Sequence, residues 1–156
     1  MGLLAADRLT KKYAYDTLRV SGPVVIIPGQ LQLQYLENRG AAFGILQNHQ
    51  ALFAVFAVII MGASFFLYMR SPSGRRYLPL RISMTGICAG AAGNLIDRVS
   101  AGYVTDFIYF SGINFPIFNV ADICVSLSVA LLLILVLFVY RDEDYEFLHG
   151  NGTAVH

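Results

Sequence analysis

Uncharged apolar runs dominate the second half of the chain. Residues 51–69 and 123–140 contain no Asp, Glu, Lys or Arg. At about 1.5 Å of helix rise per residue, each run can cross a hydrocarbon core of about 30 Å. Residues 78–96 are less apolar but similarly long, and Arg81 lies near one end, where its guanidinium can reach the interface. The pattern predicts three membrane-spanning helices.

The amino-terminal third follows different patterns. Residues 2–6 are apolar, but Asp7 and Arg8 then interrupt the run, which predicts only a truncated first span. Further along, residues 24–27 are β-branched, a Pro-Gly pair suits a turn, and residues 31–35 alternate with period two. These features predict a small antiparallel sheet lying on the outer membrane surface.

The orientation of the spans follows from the charges between the second and third. This short connection has four arginines and no acidic residue, namely Arg70, Arg75, Arg76 and Arg81, as expected of a cytoplasmic loop. By alternation, the sheet and the segment before the last span face outward. The predicted order begins with a first-span remnant (1–12), an extracytoplasmic β-cradle (13–47), a span (48–70) and a cytoplasmic loop (71–77). It continues with a span (78–97), an extracytoplasmic loop (98–117), a span (118–140) and a cytoplasmic tail (141–156). The tail is expected to be disordered from residue 149.

The composition agrees with a membrane protein. Apolar residues make up 56% of the chain and charged residues 13%, about half the charged share of a soluble domain, which is about 25%. The net charge is +1 and no basic, aromatic-rich run occurs, so a nucleic-acid partner is not expected. Cys88 and Cys124 lie within apolar runs, and we interpret them as packing residues rather than as a disulfide or zinc ligands.

Two carboxylates near the ends of predicted spans are the first candidates for chemistry, because ionisable groups close to a bilayer are costly. Asp106 lies among aromatic residues that would desolvate it, although a solvated loop position is equally compatible with the sequence. Asp122 begins the last span, where it suits the third position of a helix capped by Asn119. Together the two acids have the composition of an aspartic-protease pair, but their spacing does not establish that they meet.

Other polar positions recur at helical spacing. Gly86, Gly90, Asn94 and Arg98 are each four residues apart, which puts them on one helix face. Close helix packing explains the glycines, whereas the Asn and Arg need polar partners. We assign Asp97 a structural role beside this face.

Two further groups are ambiguous from the sequence alone. Asp7 and Lys11 are one helical turn apart and could simply support a helix. The segment 38–44, which begins with Asn38, could be a loop returning the chain to the membrane. Soluble-hydrolase triads, phosphate-binding glycine loops and His-Glu-x-x-His are absent from the sequence.

With these motifs in order, the chain resembles the lipoprotein signal peptidase family, also called signal peptidase II. The resemblance is carried by DRLTK, NRGAAFG, GNLIDR, VTDF and FNVAD at residues 7–11, 38–44, 93–98, 104–107 and 118–122.

The resemblance implies a mainly α-helical membrane protein: a four-transmembrane-helix bundle with a small extracytoplasmic antiparallel β-cradle. It implies an aspartic endopeptidase that removes the signal peptide from diacylglyceryl-modified prolipoproteins, cleaving just before the lipidated cysteine. Asp106 and Asp122 correspond to the catalytic pair. The residues expected to line or support the site are Asp7, Lys11, Asn38, Gly86, Gly90, Asn94, Arg98 and Asn119.

The resemblance also implies a working context. We expect no metal or organic cofactor, and a monomer in contact with membrane lipids of the bacterial cytoplasmic (inner) membrane, with its site toward the extracytoplasmic face. Two alternatives remain: a small transporter or ion-relay component that uses intramembrane carboxylates, and an inactive relative that binds precursors without cutting them. Relay acids usually lie in the middle of a span, whereas Asp106 and Asp122 flank spans.

Overall fold

A computed structural model of the chain describes residues 2–40 and 49–148. The helical course at the amino terminus is longer than the sequence predicts. Helix α1 (Gly2–Tyr13) continues without a break through a π-helical segment (Ala14–Leu18) into a short helix α2 (Arg19–Ser21). Residues 13–21 were expected in the β-cradle and are instead helical. Ala14 and Leu18, four residues apart, are buried against Phe107, and this packing favours continued helix.

The predicted small sheet is present and antiparallel. Strand β1 (Val24–Ile27) pairs with β2 (Leu31–Asn38), and β2 pairs with β3 (Val104–Tyr109), giving the order β1-β2-β3. The turn between β1 and β2 contains Gly29 with φ +71, a conformation that glycine adopts without steric cost. The sheet packs through β2 and β3 on the end of the amino-terminal helical run.

Three long helices form the rest of the molecule: α3 (Gln50–Arg70), α4 (Leu78–Ala101) and α5 (Val120–Ile134), which continues as a π-helical segment (Leu135–Val139). Two of the described helical stretches, Gln50–Arg70 and Val120–Val139, are long and apolar enough to cross a membrane, with mean hydropathy of 2.4 and 2.8. Only 11% and 6% of these stretches are buried within the molecule. A core helix of a soluble protein would bury its apolar residues, so these surfaces suit contact with lipid.

Helix α4, the third predicted span, is a 24-residue helix with more charged and small residues than the other two. The small residues allow α5 to approach closely. A Cβ atom at Gly90 would lie 2.5 Å from the Ala121 carbonyl oxygen, and one at Gly86 would collide with the Ser128 side chain. Gly86 and Gly90 therefore form a helix-packing surface. Both cysteines are free and half-buried.

The far end of the bundle is closed by a second core and a short 3₁₀ helix (Asp142–Leu148). Leu80, Met84 and Ile87 of α4 pack there against Leu135 and Tyr140. Arg76 binds Asp144 through two guanidinium nitrogens at 2.5 and 2.6 Å. Part of the predicted tail is therefore ordered, and its expected disorder at residues 149–156 lies outside the described residues.

Candidate active site

The two candidate carboxylates come from different elements that backbone hydrogen bonds hold side by side. Asp106 lies in β3, and Asp122 lies in the first turn of α5. The segment entering α5 pairs with β3: the Phe118 carbonyl accepts from the Phe107 and Ile108 amides at 3.0 and 2.8 Å, and the Phe118 amide donates to Ile108 at 3.1 Å. The strand therefore fixes where α5 begins, and with it the position of Asp122.

Asn119 caps α5, as its position in the sequence predicts. Its side-chain oxygen accepts from the Asp122 amide at 3.1 Å, and the Asp122 carboxylate accepts from the Asn119 amide at 3.1 Å, forming a reciprocal capping box. The cap residue is fully buried. The side-chain NH₂ group of Asn119 is therefore held in one orientation.

An asparagine relay connects the two acids. The Asn119 side-chain amide donates to Asp106 Oδ1 at 2.6 Å and to Asn94 Oδ1 at 3.2 Å. Asn94 in turn donates to Asp122 Oδ1 at 2.7 Å. Each aspartate thus receives an amide N–H, and the two amides are bonded to each other. The structure brings Asp106, Asp122, Asn94 and Asn119 into one network.

Asn38 completes the surroundings of Asp106. Leu36 is opposite Asp106 and Asn38 is opposite Val104 in the β2–β3 register, so Asn38 and Asp106 are diagonal neighbours on one face of the sheet. Asn38 donates to Asp106 Oδ2 at 2.7 Å. Both oxygens of this carboxylate therefore accept an amide hydrogen bond.

The environment of Asp106 favours its protonated form. The side chain is only 1% exposed. Burial, followed by the nearby negative charge of Asp122, raises the pKa of Asp106 from 3.8 to about 7, against the opposing effect of the Asn38 and Asn119 hydrogen bonds. Asp122 is half-buried. Asp122 is therefore the more exposed of the two carboxylates, and Asp106 is the more buried.

A buried cluster of ion pairs contacts Asn94 and supports its position. Lys11 donates to Asn94 Oδ1 at 2.9 Å and pairs with Asp7 at 3.0 Å and Asp97 at 2.9 Å. Asp7 also accepts from the Ala121 amide at 2.9 Å, and Arg8 pairs with Asp97. Asp7 and Lys11 are 1% and 3% exposed, so they anchor α1 to α4 and α5 rather than face a substrate.

Both acids open onto a cavity of about 460 Å³. Asn38, Asn94 and Arg98 also line it, and the segment Phe115 to Phe118 forms part of its wall. A second, apolar groove of about 280 Å³ lies among α3, α4 and α5, with Phe53, Phe56 and Ile60 in its wall. The two share Asn94, Arg98, Asp122 and Ser126, so they meet beside Asp122.

Arg98 lies where the two cavities meet. Its Nη1 donates to the Asn94 carbonyl at 3.4 Å, and its guanidinium carbon is 5.0 Å from the centre of the Phe53 ring. Its Nε is buried and has no hydrogen-bond partner among residues 2–40 and 49–148. This guanidinium therefore lines both cavities and keeps one donor unused.

The sequence did not single out several residues that line the cavities. The wall residues 115–117 include an aromatic residue and a proline, and only their position between the two acids could have indicated a role. Ser126 is one turn after Asp122 on a strongly apolar helix that also carries Ser128, and its hydroxyl, four residues from the acid, was the available signal. Of the predicted motif 38–44, residues 41–44 lie outside the described residues.

The chain is similar to one family of known proteins over most of its length. The family model described as Signal peptidase (SPase) II matches residues 1–138. A lipoprotein signal peptidase of Clostridium tetani is 41% identical over 144 residues, which cover 90% of this chain and 88% of the relative. One of Symbiobacterium thermophilum is 39% identical, covering 88% and 91%.

Solved structures give the same result for the fold. A bacterial membrane enzyme determined by the in meso method at 2.3 Å resolution has a TM-score of 0.79 and 33% identity, covering 86% of this chain and 82% of that one. A second, at 1.9 Å resolution, has a TM-score of 0.77 and 32% identity, covering 88% and 89%.

Proposed function

This chain belongs to the signal peptidase II family, and from that premise we propose that Asp106 and Asp122 are its two catalytic carboxylates. Members of the family are proteases that act on prolipoproteins, and the apolar surfaces of α3 and α5 agree with a membrane location. The chain is accordingly a membrane protease that removes signal peptides from prolipoproteins. The proposal concerns which residues cut the peptide bond and how.

The observation that carries the assignment is the Asn119 side chain. It donates to Asp106 while its cap fixes Asp122, so one buried residue holds both acids at the same cavity. A capping role alone requires no second carboxylate there. Two neighbouring acids that share one proton can act as base and acid in the same step.

The proposed roles follow from burial. Below its pKa of about 7, Asp106 keeps its proton and hydrogen-bonds the scissile carbonyl oxygen. Asp122, open to the cavity, takes a proton from water as the water oxygen bonds to the carbonyl carbon. The carbonyl π electrons move to the oxygen, which receives the Asp106 proton, and a neutral gem-diol forms.

Collapse of the gem-diol completes the cleavage. Asp122 gives its proton to the amide nitrogen as the carbon–nitrogen bond breaks, and a gem-diol hydroxyl returns a proton to Asp106 as the carbonyl re-forms. The signal peptide leaves with a new carboxyl group, and the lipoprotein keeps a new amino group. Both acids regain their initial protonation states.

The two cavities suit a substrate with a peptide part and a lipid part. We propose a diacylglyceryl-modified prolipoprotein cut just before its lipidated cysteine, because the first cavity holds the acids and the apolar groove beside Asp122 can take an acyl chain. Arg98 lines both cavities, and its guanidinium would bind a polar group of the substrate where they meet. Asn38, Asn94 and Asn119 orient the acids, while Asp7 and Lys11 support them.

The setting is also part of the proposal. Four helical segments cross the bacterial cytoplasmic (inner) membrane, the sheet and both acids face the extracytoplasmic side, and one chain acts as a monomer. The arginines between α3 and α4 support the orientation, and assembly of the whole site within one chain supports the monomer. Gly74→Cys and Ile113→Cys, each in a chain whose Cys88 and Cys124 are replaced by Ala, are labelled with a membrane-impermeant reagent in intact cells to test the orientation. Both positions are exposed, and only Ile113→Cys should react.

The deciding experiment compares cleavage of a lipid-modified prolipoprotein by the wild type, Asp106→Asn and Asp122→Asn. The matched control is Asp16→Asn, which removes an exposed carboxylate outside the cavity. Each site variant should remain folded and lose about 10²–10⁴-fold in rate, as expected when an acid–base group is removed. The control should cut like the wild type. A site variant that cuts at the wild-type rate refutes the pair.

The alternatives give different outcomes. The family match does not favour an ion relay. A binding protein without activity would leave the precursor intact with the wild-type chain as well.

A further inference from the structure

A second polar feature lies at the opposite end of α4 from the carboxylates. A groove of about 260 Å³ runs among α1, α3 and α4. Its walls are Leu3, Tyr68, Leu78, Arg81, Ile82 and Thr85. Arg81 precedes Asn94 by thirteen residues, or about 20 Å of helix, so the groove is remote from the active site.

Arg81 is held in this groove as a fixed cation. Its Nη2 donates to the Tyr68 hydroxyl at 3.0 Å, and its guanidinium carbon is 4.5 Å from the centre of the Tyr68 ring. Among the described parts of the chain, no ion pair involves this guanidinium, whereas Arg76 is paired with Asp144. The half-buried Arg81 therefore has a set orientation and unused donors.

The surroundings combine positive charge with exposed apolar surface. Residues 70–81 contain four arginines and no carboxylate. Beside Arg81, the side chains of Leu3, Leu78 and Ile82 are 47%, 54% and 54% exposed. A cation beside an apolar wall on the side of a membrane helix complements an anionic headgroup with its acyl chains.

We propose that this groove binds one anionic phospholipid. Its phosphate accepts from Arg81, and its acyl chains lie along Leu3, Leu78 and Ile82. The lipid would contact α1, α3 and α4 together and so stabilise their packing. Zwitterionic lipid and free phosphate lack, respectively, the net negative charge and the apolar part that the groove accommodates.

The test uses the purified full chain in a neutral detergent, titrated with phosphatidylglycerol or phosphatidylcholine while the melting temperature is recorded. Phosphatidylglycerol should raise the wild-type melting temperature more than phosphatidylcholine does. Arg81→Gln should weaken the apparent affinity for phosphatidylglycerol about tenfold or more, as expected for loss of a charge-assisted contact. Arg81→Lys, which keeps the charge, should recover part of it.

The matched control is Arg75→Gln, which removes an exposed arginine of the same loop that does not line the groove. It should leave the affinity for phosphatidylglycerol within about twofold of the wild type, since a surface charge acts mainly through a screened field. Equal effects of the two lipids on the wild type would overturn the proposal. So would equal losses in Arg75→Gln and Arg81→Gln, or stabilisation by inorganic phosphate alone to the same extent.

Discussion

The side-chain amide of Asn119 should set the pH above which activity declines. Replacing Asn119 by Ser keeps a good helix cap but removes the N–H that lies 2.6 Å from Asp106 Oδ1. That hydrogen bond stabilises the ionised form of Asp106 and lowers its pKa. Its loss therefore lets Asp106 retain its proton to higher pH, and the descending limb of the pH–rate profile should move upward.

The size of the shift follows from the geometry. Asp106 is 1% exposed, so water replaces little of the lost interaction. A hydrogen bond to a charged group contributes about 1.5–3 kcal/mol, and one pKa unit corresponds to about 1.4 kcal/mol. Starting from a pKa of about 7, the limb of Asn119→Ser should lie about one to two units higher.

The assay is cleavage of a lipid-modified prolipoprotein from about pH 5 to 10, a range chosen to bracket ordinary carboxyl and shifted values. Each variant is normalised to its own maximum, because loss of positioning also lowers the rate. Asn119→Ala serves as the matched variant: it should show the same shift and, in addition, a lower melting temperature from the lost cap. A limb that stays in place, or moves to lower pH in Asn119→Ser, would refute the assignment of the shared proton to Asp106.

Three other variants test the scaffold by thermal unfolding. Gly90→Ala should lower the free energy of unfolding by about 1–3 kcal/mol through overpacking against α5, whereas Gly62→Ala, with open space around it, should not. Equal melting temperatures for these two variants would contradict the close packing of α4 on α5. Lys11→Met should lower the free energy of unfolding by about 3–5 kcal/mol, because it leaves buried carboxylates unpaired. Lys12→Met, at an exposed position, should leave the free energy of unfolding nearly unchanged. A Lys11→Met variant as stable as the wild type would count against the ion cluster. Hydrogen bonding to Arg76 lowers the pKa of Asp144 from 3.8 to about 2. The ionised Asp144 therefore stabilises the fold above pH 3.8, and this stabilisation is lost as the pH falls toward 2. Asp144→Asn should abolish this contribution to the acid-dependent change in melting temperature.

Much of this architecture was predictable from local patterns. The β-branched run, the Pro-Gly pair and the alternating run correctly predicted β1, the turn and β2, because strand pairing there depends on adjacent segments. Asn119 and Asp122 correctly predicted a capped helix start, because capping is decided within one turn.

Contacts across long sequence separations could not be predicted from spacing. Lys11 was seen as a helical partner of Asp7, but it also pairs with Asp97 and Asn94. Nothing local to residues 7–11 indicates those partners, since they depend on how α1 packs on α4. The helical course of residues 13–21 was missed for the same reason, because the packing of Ala14 and Leu18 on β3 outweighs the short apolar pattern.

The capping and catalytic interpretations of Asp122 support each other. Asp122 lies in the first turn of α5, where its carboxylate completes the capping box, and it also lines the cavity. Asp106 lies on a strand, without a helix end to stabilise its charge, and is almost completely buried. The elements that carry the two acids therefore leave Asp122 half-exposed and bury Asp106. A base on the helix and an acid on the strand is the division of roles that hydrolysis of a peptide bond by two carboxylates requires.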